Sequence, residues 1–223
     1  ECVKGLDATV KLLQELGYEV VEAAPSIERE RAAVAFLTIF IGEAGVSLRD
    51  LQKMRGRAVR REELETETWA MALLGNAISA ADYLEALHYL HGVARQIGQF
   101  FEQYDALLTP TLADPPVPIG SLQPTPLEKR LLAAVGAMRA GWLLSALKVT
   151  NQIANNSFNF TPYTPLFNVT GQPAMSVPLH WTPDGLPVGM QFVGRYADEA
   201  TLYRLAGQLE RACPWFDRAP HGF

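Results

Sequence analysis

The sequence predicts an α/β fold. Amphipathic patterns with apolar residues at spacings of three and four fill most of the 223 residues, which is helical periodicity. Between them lie short apolar runs bounded by Pro, Gly, Asn and Asp, which is how strands are punctuated. Two of those runs, Ala174–Trp181 and Pro187–Val193, carry apolar residues on each face, as strands covered on both sides do. Helices around a minority of buried strands form an α/β layer architecture.

Composition supports a globular chain. Apolar residues make up 48% and charged ones 19%, with a net charge of −5. The length is enough for one large domain or two small ones with a buried core. A mild acidic excess argues against a dedicated nucleic-acid binder, which needs a basic face for phosphates. Cys2 and Cys213 are the only cysteines, too few for a disulfide framework or a cysteine metal cluster, and they point to a reducing, cytoplasmic location. No apolar run approaches the roughly 18–20 residues of a membrane span, so no membrane partner is expected, and no secretory signal opens the chain.

The elements follow in order. Val3, Leu6, Val10, Leu13 and Leu16 trace a first helix that stops at Gly17. It starts without an initiator Met or a capping segment, which reads as a cut end, although trimming of a tag or of the Met gives the same appearance. Tyr18–Ala24 is a β-branched strand candidate closed by Pro25. Ser26 suits an N-cap for a helix with an apolar body from Ala32 to Ile41. Residues 49–61 hold six basic side chains, followed at once by Glu62, Glu63, Glu65 and Glu67, so the run reads as a solvated, charge-balanced face rather than a docking site. Ser79 and Asp82 open a long helix reaching Tyr104, with Tyr83, Leu87, Leu90, Ala94, Ile97 and Phe101 on one face. Ala106–Thr109 is a buried strand. Five prolines and glycines within 110–120 force an extended segment. A further helical pattern spans about 126–149. Thr182-Pro183-Asp184-Gly185 is a turn, because Pro presets φ and Gly accepts φ > 0. Asp198 caps a last helix to Arg211, with Leu202, Leu205, Ala206 and Leu209 inward.

A search for chemistry finds no complete active site. There is no G-x-S-x-G string, and Ser176 sits in A-M-S-V-P, where it reads as a sheet residue. Ser145 and Lys148 spell S-x-x-K without the partner motifs. His88 and His91 share a helix side but lack a third ligand. His180 and His221 have no visible partner, and neither cysteine has an electropositive setting. No metal or cofactor site emerges.

Four strings occur in order: D-A-L-L-T-P-T (105–111), P-L-F-N-V-T-G-Q-P-A-M-S-V-P (165–178), D-G-L-P-V-G-M-Q-F-V-G (184–194) and D-E-A-T-L-Y-R-L-A (198–206). Together they resemble the C-terminal half of the amidase signature family. The nearest group is the general bacterial amidases, including enzymes of the 6-aminohexanoate cyclic dimer hydrolase type. The alternatives are the A subunit of a glutamyl-tRNA amidotransferase, whose matching stretch reads closer to A-N-L-A-G-L-P-A, and a non-catalytic scaffold that reuses half the fold.

The resemblance implies that 1–223 is the C-terminal portion of one amidase domain, with a mixed sheet flanked by helices on both faces. It implies amide hydrolysis through a Ser–cis-Ser–Lys triad in an upstream portion that this chain lacks. No triad residue maps onto any position here. What transfers is structural and substrate-facing. Gly171 permits a tight turn and Pro173 fixes entry to the next strand. Asn168 and Thr170 either bond that turn or reach the substrate, and Phe160, Tyr163 and Phe167 either wall an acyl pocket or simply pack. The partners implied are a small-molecule amide, the N-terminal portion of the same amidase and, by association of exposed sheet edge and apolar surface, a second copy as a homodimer.

Overall fold

The structure is a computed structural model that describes residues 1–121, 123, 130 and 158–219. The chain divides into two compact units, one of Glu1–Ile27, His91–Pro118 and Ser157–Phe223, the other of Glu28–Leu90 and Ile119–Asn156.

The first unit is built on a three-stranded sheet. Its strands are β1 (Ala106–Pro110), β2 (Ala174–Trp181) and β3 (Pro187–Gly194), in the order β1-β3-β2. Both pairings are antiparallel, so the sheet in the described residues has no parallel pair to make it mixed. The turn between β2 and β3 forms as its residues dictate: Gly185 takes φ 79° and donates to Thr182 O, and the Thr182 hydroxyl accepts from Leu186 N–H. Pro178 interrupts β2, and the register shifts between Val177 and His180, since proline has no N–H for the ladder.

One face of this sheet carries Leu108, Met175, Val177, Val188, Met190 and Phe192. Against it pack α1 (Cys2–Glu15), through Cys2, Leu6 and Leu13, and the C-terminal helix through Leu202, Leu205 and Leu209. Met190, Phe192 and Leu209 are at most 1% exposed, so this is the core of the unit. Gly5 makes the close approach of α1 possible, because a Cβ there would lie 2.8 Å from both His180 Cβ and Met190 Cε. The short helix Thr164–Thr170 (α5) and the C-terminal helix Glu199–Ala212 (α6) complete the described elements of this unit. Asp198 caps α6 as expected, accepting from the Thr201 N–H and hydroxyl, and those bonds hold its carboxyl below the usual range.

The second unit is helical in its described residues: α2 (Arg29–Arg55), α3 (Thr66–Gly75) and the first part of α4 (Ala80–Phe100). Helix α2 starts at Arg29 rather than after Ser26, runs well beyond Ile41, and ends where Gly56 turns left-handed at φ 63°. It crosses α3 at a glycine pair. A Cβ on Gly75 would run into the Ile41 carbonyl, and one on Gly45 would sit 3.1 Å from Gly75 C. Leu48, Val59, Trp69 and Ala72 form the core beside this crossing. Tyr83 of α4 rests on Gly42 and donates its hydroxyl to Glu43 at 2.9 Å. By length and composition alone α2 is long and apolar enough to cross a bilayer, which corrects the expectation that no apolar run approaches a span. Thr38, Gly42, Glu43 and Ser47 break the run without lowering its average enough, and 39% of that window is buried inside the protein.

Three sequence expectations change. Tyr18–Ala24 forms no strand; Val20 packs on the core and Tyr18 bonds Leu13 O and Gln208, but no ladder partner occurs among the described residues. Without a neighbour, β-branched composition does not make a strand. Helices α3 and α5 appear where none was expected, both shorter than the periodic signal can resolve. The helical pattern at 126–149, with Ser145 and Lys148, and His221 lie outside the described residues.

Candidate functional site

The stretch from Tyr163 to Pro173 concentrates the expected site residues. Tyr163 occupies the N-cap position of α5 and Pro165 falls in its first turn, where a missing N–H costs nothing. Phe167 is buried at 5% exposure, and Thr170, at 7%, donates its hydroxyl to Leu166 O within the helix. Phe167 thus packs inward and the Thr170 hydroxyl closes its own helix. Asn168 points to solvent, while Tyr163 and Phe160 are half-buried; the Phe160 carbonyl accepts from Ala113 N–H. Gly171 closes α5 in the left-handed region at φ 80°, donating to Phe167 O at 2.9 Å. The ring of Tyr196 lies over it, 3.1 Å from where a Cβ would be. The Pro173 carbonyl then accepts from Gly194 N–H and sets the entry to β2.

Sequence reasoning missed a polar strip on the other face of the sheet. Thr109, Gln191 and Ser176 stand side by side across the three strands. Gln191 is 4% exposed and donates to the Thr109 hydroxyl at 3.4 Å, while Ser176 Oγ lies 2.6 Å from Thr111 Oγ1. The only signal in the sequence was that three of the four strings each supply a member. Tyr196 and its neighbour Ala197, a non-glycine at φ 60°, were likewise unmarked.

Other candidates resolve into local pairings. His88 and His91 are exposed on α4, and no group of three His, Cys, Asp or Glu suited to a metal occurs among the described residues. His180 Nε2 meets Glu1 Oε2 at 3.0 Å, and Lys4 holds the other oxygen at 2.6 Å. The Lys4 bond first and the His180 bond second bring the Glu1 carboxyl down to about 2. Burial pushes the Cys2 thiol up, the opposite of a reactive thiolate, and both cysteines are unpaired. In the basic run, Arg55 and Arg57 both grip Glu63, and Lys53 pairs with Asp50, in keeping with a charge-balanced face. Arg57, then the Arg60 N–H, lower the Glu63 carboxyl to about 2.

The family model described as Amidase matches residues 1–203. The chain belongs to the Amidase family. This amidase-family chain is 32% identical over 208 residues to the putative amidase AmiC of Mycobacterium leprae (strain TN), covering 93% of itself and 39% of that protein. It is 30% identical to the lipoamidase of Enterococcus faecalis, covering 94% of itself and 29% of the relative. To the 6-aminohexanoate-cyclic-dimer hydrolase of Pseudomonas sp. (strain NK87) it is 27% identical, covering 99% of itself and 42% of the relative. The solved structure of a 6-aminohexanoate cyclic dimer hydrolase superposes with a TM-score of 0.80 at 25% identity, over 99% of this chain and 43% of that one. A bacterial aryl acylamidase of the amidase signature family, at 20% identity and a TM-score of 0.66, shares the fold. The expected α/β fold and family are borne out, and the chain spans at most about two-fifths of the length of these relatives.

Proposed function

We propose that this chain is the C-terminal portion of an amide hydrolase. The reading rests on one observation: the Amidase match runs through 203 of its residues, while no catalytic string of a Ser–cis-Ser–Lys triad occurs in them. In such an enzyme a neutral Lys takes a proton relayed through the bridging Ser, the second Ser attacks the carbonyl, and backbone N–H groups hold the oxyanion. Those groups belong to the upstream portion. The residues here supply sheet, covering helices and part of the substrate-facing wall, with the α5–β2 stretch the favoured contributor. The working partners are a neutral amide substrate and that upstream portion, in a reducing cytoplasm that keeps Cys2 and Cys213 as thiols.

Within the family, the favoured substrates are linear or cyclic amides of aminohexanoate type, supported by the near-complete coverage of this chain by the cyclic-dimer hydrolases. The test is an assay of the intact protein on linear and cyclic aminohexanoate oligomers and on a simple anilide. Turnover by the intact protein and none by residues 1–223 alone is the expected result. Covalent labelling of a serine within 1–223 by a fluorophosphonate, with loss of turnover, overturns it.

A further inference from the structure

The polar strip stands on the sheet face that α1 and α6 leave uncovered. A sheet face holding a fully buried Val193 and a Gln191 at 4% exposure is expected to be apolar, yet Thr109, Gln191, Ser176 and Thr111 interrupt it. Local rules of this kind fail mainly at functional sites. The strip is densest where three separated strings meet. Thr111, just past β1, donates its N–H to Gly189 O at 2.9 Å. Its hydroxyl then reaches across the central strand to Ser176 Oγ on the far strand, 2.6 Å away. Gly189 is the condition for that meeting, since a Cβ there would lie 2.5 Å from Ser176 Oγ and 2.7 Å from Thr111 Oγ1. Ser176 is exposed and Thr111 half-exposed, so the pair is open to a ligand.

The hydroxyl inventory says what kind of ligand. Two hydroxyls bring two hydrogens and four lone pairs, and their mutual bond uses one of each. The pair therefore presents one O–H donor beside unused lone pairs, uncharged, on a glycine that leaves room for both hydroxyls. An amide group needs a donor for its C=O and an acceptor for its N–H. We propose that the Thr111–Ser176 pair over Gly189 recognises the amide group of the substrate, with the spare hydroxyl hydrogen going to the carbonyl and a lone pair receiving the N–H. This rests on the amide-hydrolase reading and adds specificity-determining residues to it. Ester analogues, which lack the N–H, lose half of the recognition.

The experiment uses the intact protein and a matched pair of substrates, a secondary amide and the ester of the same acyl group. Of Ser176→Ala and Thr111→Val, the one that removes the acceptor of the N–H lowers the amide-to-ester ratio of kcat/KM about three- to tenfold, chiefly through the amide's KM, and the one that removes the carbonyl donor weakens both substrates by a similar factor, each as expected for loss of one hydrogen bond. Ser176→Thr and Thr111→Ser keep a hydroxyl and keep the ratio. An amide-to-ester ratio that neither Ser176→Ala nor Thr111→Val moves, with or without a lowered melting temperature, overturns the proposal alone and marks the pair as structural. No turnover of either substrate by the unsubstituted protein overturns the amide-hydrolase reading and this proposal with it.

Discussion

Arg195 Nε donates to the carbonyl of Phe101 at 3.0 Å, just past the C-terminal end of α4. The same nitrogen also reaches Tyr104 O at 3.4 Å, and Nη2 pairs with Asp105 at 2.9 Å. A guanidinium at a helix C-terminus satisfies carbonyls that the helix cannot, and it opposes the negative end of the dipole. Because Arg195 directly follows β3, it ties the sheet to the strand-entry turn of β1. Arg195→Ala is expected to lower unfolding stability by about 1–2 kcal/mol, less than a buried pair would cost because the side chain is partly exposed. Arg195→Lys recovers only part, as an ammonium cannot bridge the same acceptors in a plane. Urea unfolding of the three proteins decides it.

Gly189→Ala places a methyl against both hydroxyls of the polar strip. The expected loss is about 1–3 kcal/mol, typical of overpacking. Adding Ser176→Ala removes the nearer clash, so the double variant should be more stable than Gly189→Ala alone. Strict additivity in thermal unfolding would contradict the geometry.

Gly75→Ala should be worse tolerated than most glycine replacements in a helix. Elsewhere alanine favours a helix by about 1 kcal/mol over glycine. Here the new Cβ meets the Ile41 carbonyl, a backbone atom that cannot rotate away. Net destabilisation in denaturant titration is the expected sign, and a gain in stability would show that α2 and α3 do not cross this closely.

Glu63 carries a pH dependence of known sign. Its carboxyl is brought from an ordinary 4.5 to about 2 by Arg57 and the Arg60 N–H. A depressed folded-state value means the contribution is fully present above about 4.5 and fades as pH falls toward about 2. The stability difference between the protein and Glu63→Gln should therefore be flat near neutrality and shrink in acid. A difference that grows in acid would contradict the Arg57–Glu63 pairing.

What the sequence made legible was local. The periodicity of α1, α4 and α6, the Asp198 cap and the Thr182–Gly185 turn all depend on residues within a few positions of one another, and all appear. The unreadable parts depend on distant partners. Tyr18–Ala24 has strand composition but no neighbouring strand among the described residues. Thr109 and Gln191 are 82 residues apart, and only the strand register places them side by side. Asn168, Thr170 and Phe167 are marked by their string, yet whether each turns inward depends on the α5 turn and on Gly171: Phe167 and Thr170 are buried and Asn168 is exposed.

Among the described residues, each outer strand of the sheet carries a proline, Pro110 at the end of β1 and Pro178 in the irregular stretch of β2. A foreign strand approaching either rim finds one rung without a hydrogen to give, and on β2 it also finds the spacing broken. Edge-to-edge growth into fibrils is thereby discouraged from both sides, so the same residues that punctuate the strands also act as a safeguard against aggregation.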